Sequence, residues 1–356
     1  MNKIEALAKK MENGCCAIIW SPENRFYYTG FEASDGILIV SGSESVFLTD
    51  SRYIEAAQRQ ITDCKVEELK SLSEQFAFYM GAMNCSTAFV EESRMTLADF
   101  SMFKKFAPEV NFIGDNSLDL KIKAQREKKN QKETEKIKKA QAIAEKAFEY
   151  ILSIIKEGMT EKEVALKLDY KMLELGAQAL SFETIVVSGV NSSMPHGVPS
   201  DKAIQHGDFV TMDFGAVFEG YHSDTTRTIA IGQATDEMKK VYNTVLEAQT
   251  TALKAVKAGV SGQAIDKIAR DIITKAGYGE YFRHATGHGV GVEIHETPTV
   301  SARNTQPLEA GNVVTVEPGI YIPGKFGVRI EDMCLVTENG CENFTNLDKN
   351  LIVIDK

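Results

Sequence analysis

The sequence predicts an α+β protein with two domains, the second of which contains two related halves. Short apolar runs alternate with helical segments over the first 120 residues, which is the pattern of a sheet covered by helices. A run of charged residues interrupts this pattern, and two motifs recur after it at nearly one offset. A chain of 356 residues suits two domains of roughly 100–200 residues each. We place the boundary near Lys123, which gives domains 1–123 and 124–356.

The first domain is predicted to be a small α/β unit with a mixed sheet and helical cover. Its apolar runs are of strand length and stand between helix signals. The predicted strands cover 16–20, 36–40, 45–49 and 88–90, and the predicted helices cover 1–13, 50–60 and 96–106.

The charged run 121–136 is predicted to be the solvated start of one long amphipathic helix. A basic interaction patch is the alternative, but apolar residues follow the run at helical spacing. These residues are Ile137, Ala140, Ala144, Ala147, Ile151 and Ile155.

The second domain carries a weak internal repeat. Segment 156–165 resembles 257–266 at an offset of 101 residues, and 207–213 resembles 311–317 at an offset of 104. In the first pair a glycine ends one helix, and a threonine or serine caps the next. Each half is expected to run from a helix, through a capped helix, to a strand that ends in an acidic residue. Two such halves would pack around a pseudo-twofold axis with these acids facing each other.

Composition argues against several classes of function. A net charge of −10 is unfavourable for nucleic-acid binding, which needs a basic face. The sequence has no run of about 18 apolar residues, which a membrane-spanning helix would need. The start of the sequence lacks the apolar core of a secretory signal. The six cysteines show no CxxC spacing, which favours reduced thiols and a cytoplasmic location.

Two aspartates lie on either side of a predicted hairpin turn at Glu219-Gly220. With these two residues as the loop, Asp213 pairs with Thr226, and Asp224 lies one diagonal step from Asp213 on the same sheet face. Diagonal neighbours are roughly 7–8 Å apart at Cα, which is close enough for two carboxylates to share an ion. Either aspartate alone is typical of a turn or cap, but the pair in an apolar setting is costly without a cation.

Two glutamates repeat this arrangement in the second half. Glu317 and Glu331 flank a turn at 323–325, and a three-residue loop there places them directly opposite each other. Both follow apolar residues, and two facing glutamates repel each other. A surface pair is the alternative, but the apolar context favours a metal site.

The histidines add to this pattern, because all six lie in less than a third of the chain. They are His196, His206, His222, His284, His288 and His295. This clustering favours a shared site, although His206 precedes a Gly-Asp turn and is expected at the surface. The segment 284–288 lacks the glutamate of the zincin HExxH pattern, and 287–291 does not match a phosphate-binding loop.

Charge balance favours two metal ions. Four carboxylates carry four negative charges, which two divalent ions neutralise and one does not. Carboxylates with one imidazole suit manganese, with cobalt or zinc as alternatives, better than a thiolate zinc site does. Two ions roughly 3.5–4 Å apart can hold a hydroxide and polarise a carbonyl, which is hydrolytic chemistry. The sequence contains no serine-hydrolase elbow and no cysteine-protease signature.

At these residues the second domain resembles the pita-bread metallopeptidases, which include Xaa-Pro dipeptidases (prolidases), aminopeptidases P and methionine aminopeptidases. The resemblance implies that Asp224 and Glu331 bridge two ions, that Asp213 completes one, and that His288 with Glu317 completes the other. The implied metal ligands are thus Asp213, Asp224, His288, Glu317 and Glu331. The implied catalytic residues are His196, His284, His295 and Glu317, and the implied substrate-binding residues are His196, His284, His295, Tyr321 and Arg329.

Residues 1–123 resemble the creatinase-like amino-terminal domain of prolidases and aminopeptidases P, on segments 21–31 and 47–53. Methionine aminopeptidases lack this domain, and creatinase keeps the fold without the metal ligands, so both are disfavoured. Family members with this domain are usually dimers, which implies a homodimer.

The resemblance implies a dinuclear-metal exopeptidase that hydrolyses the bond before a proline at the second peptide position, through a metal-bridging hydroxide. Xaa-Pro dipeptidase activity is expected. The alternatives are an aminopeptidase P acting on longer peptides and an inactive pita-bread module that binds peptides or proteins. Arg329 leaves two roles open, since it can pair with a substrate carboxylate or orient Glu331 and Asp213.

Overall fold

The structure is a computed structural model that describes residues 1–355. The chain divides into two units, of which the first is Met1–Arg126 and the second begins at Glu127. Within the described residues, no helix is long and apolar enough to cross a membrane. The six cysteines are all free thiols.

A six-stranded mixed sheet forms the centre of the first unit. Its strands are β1 (Cys15–Ile19), β2 (Ile37–Ser41), β3 (Ser45–Thr49), β4 (Lys65–Glu68), β5 (Thr87–Val90) and β6 (Asn111–Ile113). They lie in the order β4-β3-β2-β1-β5-β6, and β4, β5 and β6 join their neighbours in parallel. The four predicted strands are present with shifts of at most one residue. Strands β4 and β6 were not predicted, because β4 is a partly exposed edge strand and β6 has three residues.

Six helices accompany this sheet, and they differ more from the prediction than the strands do. They are α1 (Lys3–Ala8), α2 (Pro22–Thr29), α3 (Ile54–Gln60), α4 (Leu72–Ala82), α5 (Leu97–Phe106) and α6 (Ser117–Glu127). The predicted helices 1–13 and 50–60 are too long, while α5 agrees with its prediction and has Thr96 as its N-cap. Helices α2 and α4 were not predicted.

The prediction of a single helix starting in the charged run 121–136 is wrong. Helix α6 ends at Glu127, and a new helix, α7 (Gln131–Ile154), begins after three intervening residues. Asn130 caps the start of α7, because its side chain accepts from the Glu133 N–H while the Glu133 carboxylate accepts from the Asn130 N–H. The apolar face predicted for the later part is buried on α7.

The second unit contains four longer helices and four small sheets. The helices are α7, α8 (Glu161–Glu174), α9 (Asp236–Ala255) and α10 (Gly262–Lys275), and two 3₁₀ turns cover Gly189–Ser193 and Gly279–Tyr281. The strands are β7 (Ala179–Leu180), β8 (Ile185–Ser188), β9 (Phe209–Phe214), β10 (Ala216–Phe218), β11 (Tyr221–His222), β12 (Thr225–Ile231), β13 (Gly287–Gly289), β14 (Glu296–Val300), β15 (Val313–Val316), β16 (Gly319–Ile322), β17 (Phe326–Arg329), β18 (Asp332–Val336), β19 (Cys341–Asn343) and β20 (Val353–Ile354). The sheet orders are β11-β10-β7, β20-β12-β9-β8, β14-β13-β15-β18-β19 and β16-β17.

The internal repeat is confirmed as two structural halves. Helices α8 and α10 begin 101 residues apart, and the side chains of Thr160 and Ser261 cap them in the same way. Each cap residue also forms an isolated β-bridge. Thr160 pairs with Ala203, which precedes β9, and Ser261 pairs with Pro307, which precedes β15. These matching contacts give the two capped helix starts equivalent surroundings.

Each half has a hydrophobic core of its own. The first core packs α7 and α8 against β8, β9 and β12, and the second packs α9 and α10 against β15 to β18. The halves meet where the Glu331 N–H donates to the Thr226 carbonyl, at 3.1 Å. The acidic ends of the two hairpins therefore come together between the cores.

Candidate metal centre and active-site cavity

The first acidic pair lies on a hairpin with the predicted register. Phe218 pairs with Tyr221, and Asp213 pairs with Thr226, so one register extends from the turn to the acids. The turn residues Glu219 and Gly220 both have positive φ, 45° and 74°. This is the type I′ turn that matches the twist of two hairpin strands.

The second acidic pair also has the predicted register. In the β16–β17 hairpin, Ile322 pairs with Phe326 and leaves a three-residue loop, in which Gly324 has a φ of 73°. Val316 and Asp332 pair in the neighbouring sheet with the same register. Glu317 and Glu331 therefore lie opposite each other between the two ladders.

His288 lies among the carboxylates of both pairs. Its Nε2 atom is 3.4 Å from Asp224 Oδ2 and 3.3 Å from Glu317 Oε1. Potential ligand atoms of Asp224, His288 and Glu331 all lie within 4.8 Å of one another. The Nδ1 atom of His288 lies 3.1 Å from the Gly289 carbonyl, which leaves Nε2 directed at the acids.

The electrostatics of this cluster fit bound cations. Burial raises the pKa of Asp224 and of Glu331 well above the carboxyl range, and neighbouring carboxylates raise both further. The pKa of Glu317 is raised too, first by burial. One oxygen of Asp213 and one of Glu331 are buried without a hydrogen-bond partner among the described residues. Buried carboxylate oxygens without donors are costly unless a positive charge lies beside them.

Arg329 connects the acids to Tyr321 and Thr226. Its guanidinium donates to Asp213 Oδ2 at 2.6 Å, to the Tyr321 hydroxyl at 2.8 Å and to Thr226 Oγ1 at 2.9 Å. It also donates to the Pro195 carbonyl at 3.2 Å. The side chain is buried and most of its donors are used, which favours the orienting role of the two roles that the sequence left open.

Two of the predicted substrate histidines contact side chains that neighbour the acids, namely Tyr321 and His288. The His284 Nε2 atom lies 3.0 Å from the Tyr321 hydroxyl, and burial together with Arg329 lowers the pKa of His284 to about 4. The His295 ring centroid lies 4.4 Å from that of His288, and burial lowers the pKa of His295 as well. Both imidazoles are therefore neutral at physiological pH. Burial raises the pKa of Tyr321 to about 12, so its hydroxyl keeps its proton.

A cavity of about 620 Å³ brings these side chains together. Of the residues predicted for the site, the cavity is lined by His196, Asp213, Asp224, His284, His288, His295, Glu317, Arg329 and Glu331, and Tyr321 lies behind them. Phe182, Ile185, Val198 and Ile294 form apolar parts of the wall. A cavity with a charged floor and apolar walls is typical of a small-molecule or peptide site.

The remaining two histidines lie outside this lining. His206 is exposed, as predicted. The His222 Nδ1 atom lies 3.1 Å from Ser181 Oγ, and burial lowers the pKa of His222. Of the six histidines that cluster in the sequence, four therefore line the cavity, and His206 and His222 do not.

Comparison with known proteins decides the family. Residues 135–338 match the model of metallopeptidase family M24, and residues 3–127 match the creatinase/prolidase N-terminal domain. The chain belongs to metallopeptidase family M24. The resemblance inferred from the sequence is thus confirmed, and this M24 chain is a peptidase of a family whose members use divalent metal ions.

Relatives of this M24 peptidase match it over almost its whole length. A Xaa-Pro dipeptidase of Pyrococcus furiosus is 39% identical over 353 residues, which cover 98% of this chain and 99% of that protein. A solved Xaa-Pro dipeptidase from Bacillus anthracis has a TM-score of 0.94 at 40% identity and covers 99% of both chains. A solved X-Pro aminopeptidase from Thermotoga maritima has a TM-score of 0.91 at 41% identity and covers 95% of this chain and 97% of that one.

Two threonines of this M24 peptidase that were not predicted for the site hold the acids in place. Thr226 donates to Glu331 Oε2 at 2.7 Å, and Thr315 donates to Glu317 Oε1 at 3.2 Å. Thr226 could have been identified from the sequence, because the predicted hairpin register already placed it opposite Asp213. Thr315 precedes Glu317 by two residues on one strand face, so strand periodicity could also have identified it.

Proposed function

We propose that the protein is an exopeptidase that hydrolyses the bond between a first residue and a following proline. The observation that carries this proposal is one cavity whose floor holds four carboxylates and His288, with two unpartnered carboxylate oxygens. Close relatives named Xaa-Pro dipeptidase and X-Pro aminopeptidase support the proline specificity.

We propose that two divalent ions, manganese by preference, bind the five predicted ligands. Four carboxylates surround the site, so two divalent charges balance them. Oxygen ligands with one imidazole suit manganese. As the family resemblance implies, Asp213, Asp224, His288, Glu317 and Glu331 would hold these ions, and of the five Asp224 and Glu331 are the most deeply buried.

Such ions lower the pKa of water and polarise a carbonyl group, which is the chemistry that amide hydrolysis requires. The protein side chains supply the rest of the mechanism. His196, His284 and His295 are proposed to donate hydrogen bonds to the oxygen of the scissile carbonyl and to the proline carboxylate or carbonyl. Glu317 is proposed to take up a proton and to return it to the leaving proline nitrogen.

Proline specificity follows from the shape of the site and from the bond that is cut. The bond before proline has no N–H, so a site that recognises it needs apolar contact with the ring in place of a hydrogen-bond acceptor. Phe182, Ile185, Val198 and Ile294 offer such contact along the cavity. The preference for dipeptides rests on the names of relatives, because Arg329 is already engaged with Asp213 and Tyr321.

The test compares Ala-Pro, Ala-Ala and Ala-Pro-Ala at equal concentration, with chelated protein and with protein reloaded with manganese. We expect Ala-Pro to be cleaved fastest and only by the reloaded protein. Faster cleavage of Ala-Pro-Ala would identify an aminopeptidase P, and faster cleavage of Ala-Ala would contradict the proline specificity. Binding of all three peptides without turnover would identify a binding module. A homodimer stays a prediction of the family resemblance, and a cytoplasmic location stays a prediction from the cysteine pattern.

A further inference from the structure

Glu161 is a buried carboxylate outside the metal cluster, and the proposed mechanism leaves it unused. It is the first residue of α8, and its side chain is fully buried. One carboxylate oxygen, Oε1, accepts from the backbone N–H of Ser188 at 2.6 Å and from its hydroxyl at 2.9 Å. The other, Oε2, accepts from the N–H of Ser200 at 3.0 Å and from its hydroxyl at 2.6 Å. The Asn191 amide donates to both oxygens at 3.1 Å.

Ser188 and Ser200 stand at the two ends of one loop, and Asn191 lies near its start. Ser188 is the last residue of β8, and the loop 189–199 follows it. Ser200 comes directly after this loop. The loop carries His196, and its residues from Pro195 to Pro199 line the cavity. One oxygen of Glu161 therefore holds the start of the loop and the other holds its end.

Two further hydrogen bonds connect the middle of the loop to the rest of the unit. The Gly327 N–H donates to the Ser192 hydroxyl at 2.9 Å, and Arg329 donates to the Pro195 carbonyl at 3.2 Å. His196 itself is exposed, and no residue within 1–355 hydrogen-bonds to its ring. The position of this imidazole is thus set by the backbone that carries it, and that backbone is tied at both ends to Glu161.

The second half of the unit uses a buried acid in a similar way. Asp266, on the second turn of α10, accepts from the N–H and the hydroxyl of Thr286 at 3.2 and 2.8 Å. It also pairs with Arg270, which donates to the carbonyls of Phe282 and His284 at 2.8 and 2.9 Å. An acid on the second helix of each half thus holds the segment that carries a cavity histidine.

We propose that Glu161 is a positioning residue for His196, acting by clamping both ends of the loop 189–199. This proposal rests on the proposed function, in which His196 contacts the substrate. A carboxylate suits the task because it is an acceptor at both oxygens, and its charge is favourable at a helix N-terminus. Glutamine keeps one acceptor oxygen and turns an NH₂ group towards the donors at one end, so Glu161→Gln releases one end of the loop.

The test measures kcat and KM for Ala-Pro with manganese in four proteins: wild type, Glu161→Gln, His196→Ala and the double variant. A misplaced group about 1 Å from its working position can cost on the order of 10²-fold in rate, so we expect kcat of Glu161→Gln to fall by about 10–100-fold. KM and manganese affinity should change little. The double variant should be no slower than His196→Ala alone, because both changes remove the same contribution. Glu163→Gln is the matched control, since Glu163 lies on the same helix turn, is exposed and keeps its capping box as glutamine.

Amide hydrogen exchange gives a readout that does not depend on turnover. Residues 189–200 should exchange faster in Glu161→Gln than in wild type, and the rest of the second unit should be unchanged. An unaltered kcat, unaltered exchange in this loop, or losses that multiply in the double variant would overturn the proposal. If Glu161→Gln does not fold, Ser200→Ala removes one hydroxyl donor and should show the same effects at smaller size, and their absence there overturns it equally. If wild type cleaves no proline peptide, the proposed function fails, and hydrogen exchange still decides whether Glu161 holds the loop.

Discussion

Arg329 donates a hydrogen bond to Asp213, with 2.6 Å between Nη2 and Oδ2. This contact occupies one oxygen of the carboxylate and leaves Oδ1 buried without a protein partner among the described residues. The arginine is itself held by Thr226 and Tyr321. Asp213 is thereby oriented before any ligand arrives, which is the usual task of a residue behind a metal ligand.

The substitution Arg329→Gln is expected to weaken metal binding. Loss of a partner behind a ligand typically costs about 10–100-fold in metal affinity, and calorimetric titration of the chelated protein with manganese measures it. Arg59→Gln, which changes an exposed arginine on α3, is the control. Unchanged metal affinity together with a raised KM would instead assign Arg329 to the substrate carboxylate.

The substitution Asp224→Asn is expected to reduce kcat by several orders of magnitude while the fold is kept. Asp224 is buried beside His288, and a neutral amide cannot balance the charge of an ion there. Activity on Ala-Pro and far-UV circular dichroism together measure the two effects. His206→Ala, at an exposed histidine, should leave kcat unchanged. Equal losses in the two variants would contradict the proposed assignment of site and surface.

The same substitution is expected to stabilise the metal-free protein at neutral pH. Burial and the nearby Asp213 raise the pKa of Asp224, so its ionised form destabilises the metal-free folded state. As the pH falls through this raised pKa towards the ordinary value of about 3.9, Asp224 takes up its proton and the cost disappears. The melting temperature of Asp224→Asn should therefore exceed that of wild type at neutral pH, and the gap should close on acidification. A gap that widens at lower pH would show the opposite sign of the shift.

The substitution Lys129→Met is expected to destabilise the second unit. Lys129 and Glu296 form an ion pair at 3.0 Å, and their side chains are 2% and 4% exposed. Removing one partner of a buried pair typically costs about 3–5 kcal/mol, because the other charge is left buried. Urea unfolding of the metal-free protein measures this change. The neighbouring Lys128→Met is the matched control, since Lys128 pairs with Glu309 at the surface and its loss should cost under about 1 kcal/mol.

The sequence was sufficient for the parts of the site that depend on local structure. Asp213 pairs with Thr226, and Glu317 lies opposite Glu331, because a hairpin loop of known length sets the register of every residue along its two strands. The same holds for the caps at Thr160 and Ser261, where a short motif ends one helix and starts the next.

Prediction from the local sequence failed for one helix boundary and for one edge strand. The run 121–136 had the composition of one solvated helix, yet a new helix begins within it after Asn130. The capping box at Asn130 satisfies backbone N–H groups that a continuous helix would have bonded internally. Strand β4 carries no apolar run, and only its pairing with β3 shows that it is a strand.

The sequence by itself determined the two acidic hairpins, the repeat that contains them and the family to which the chain belongs. The tertiary structure alone decided which residues hold the site in place. Arg329 reaches Asp213 across 116 positions of the chain, and Thr226 reaches Glu331 across 105. Glu161 ties both ends of the His196 loop from a separate helix. Such contacts join elements that are distant in sequence, and no local periodicity encodes them, because they depend on how separate elements pack against one another.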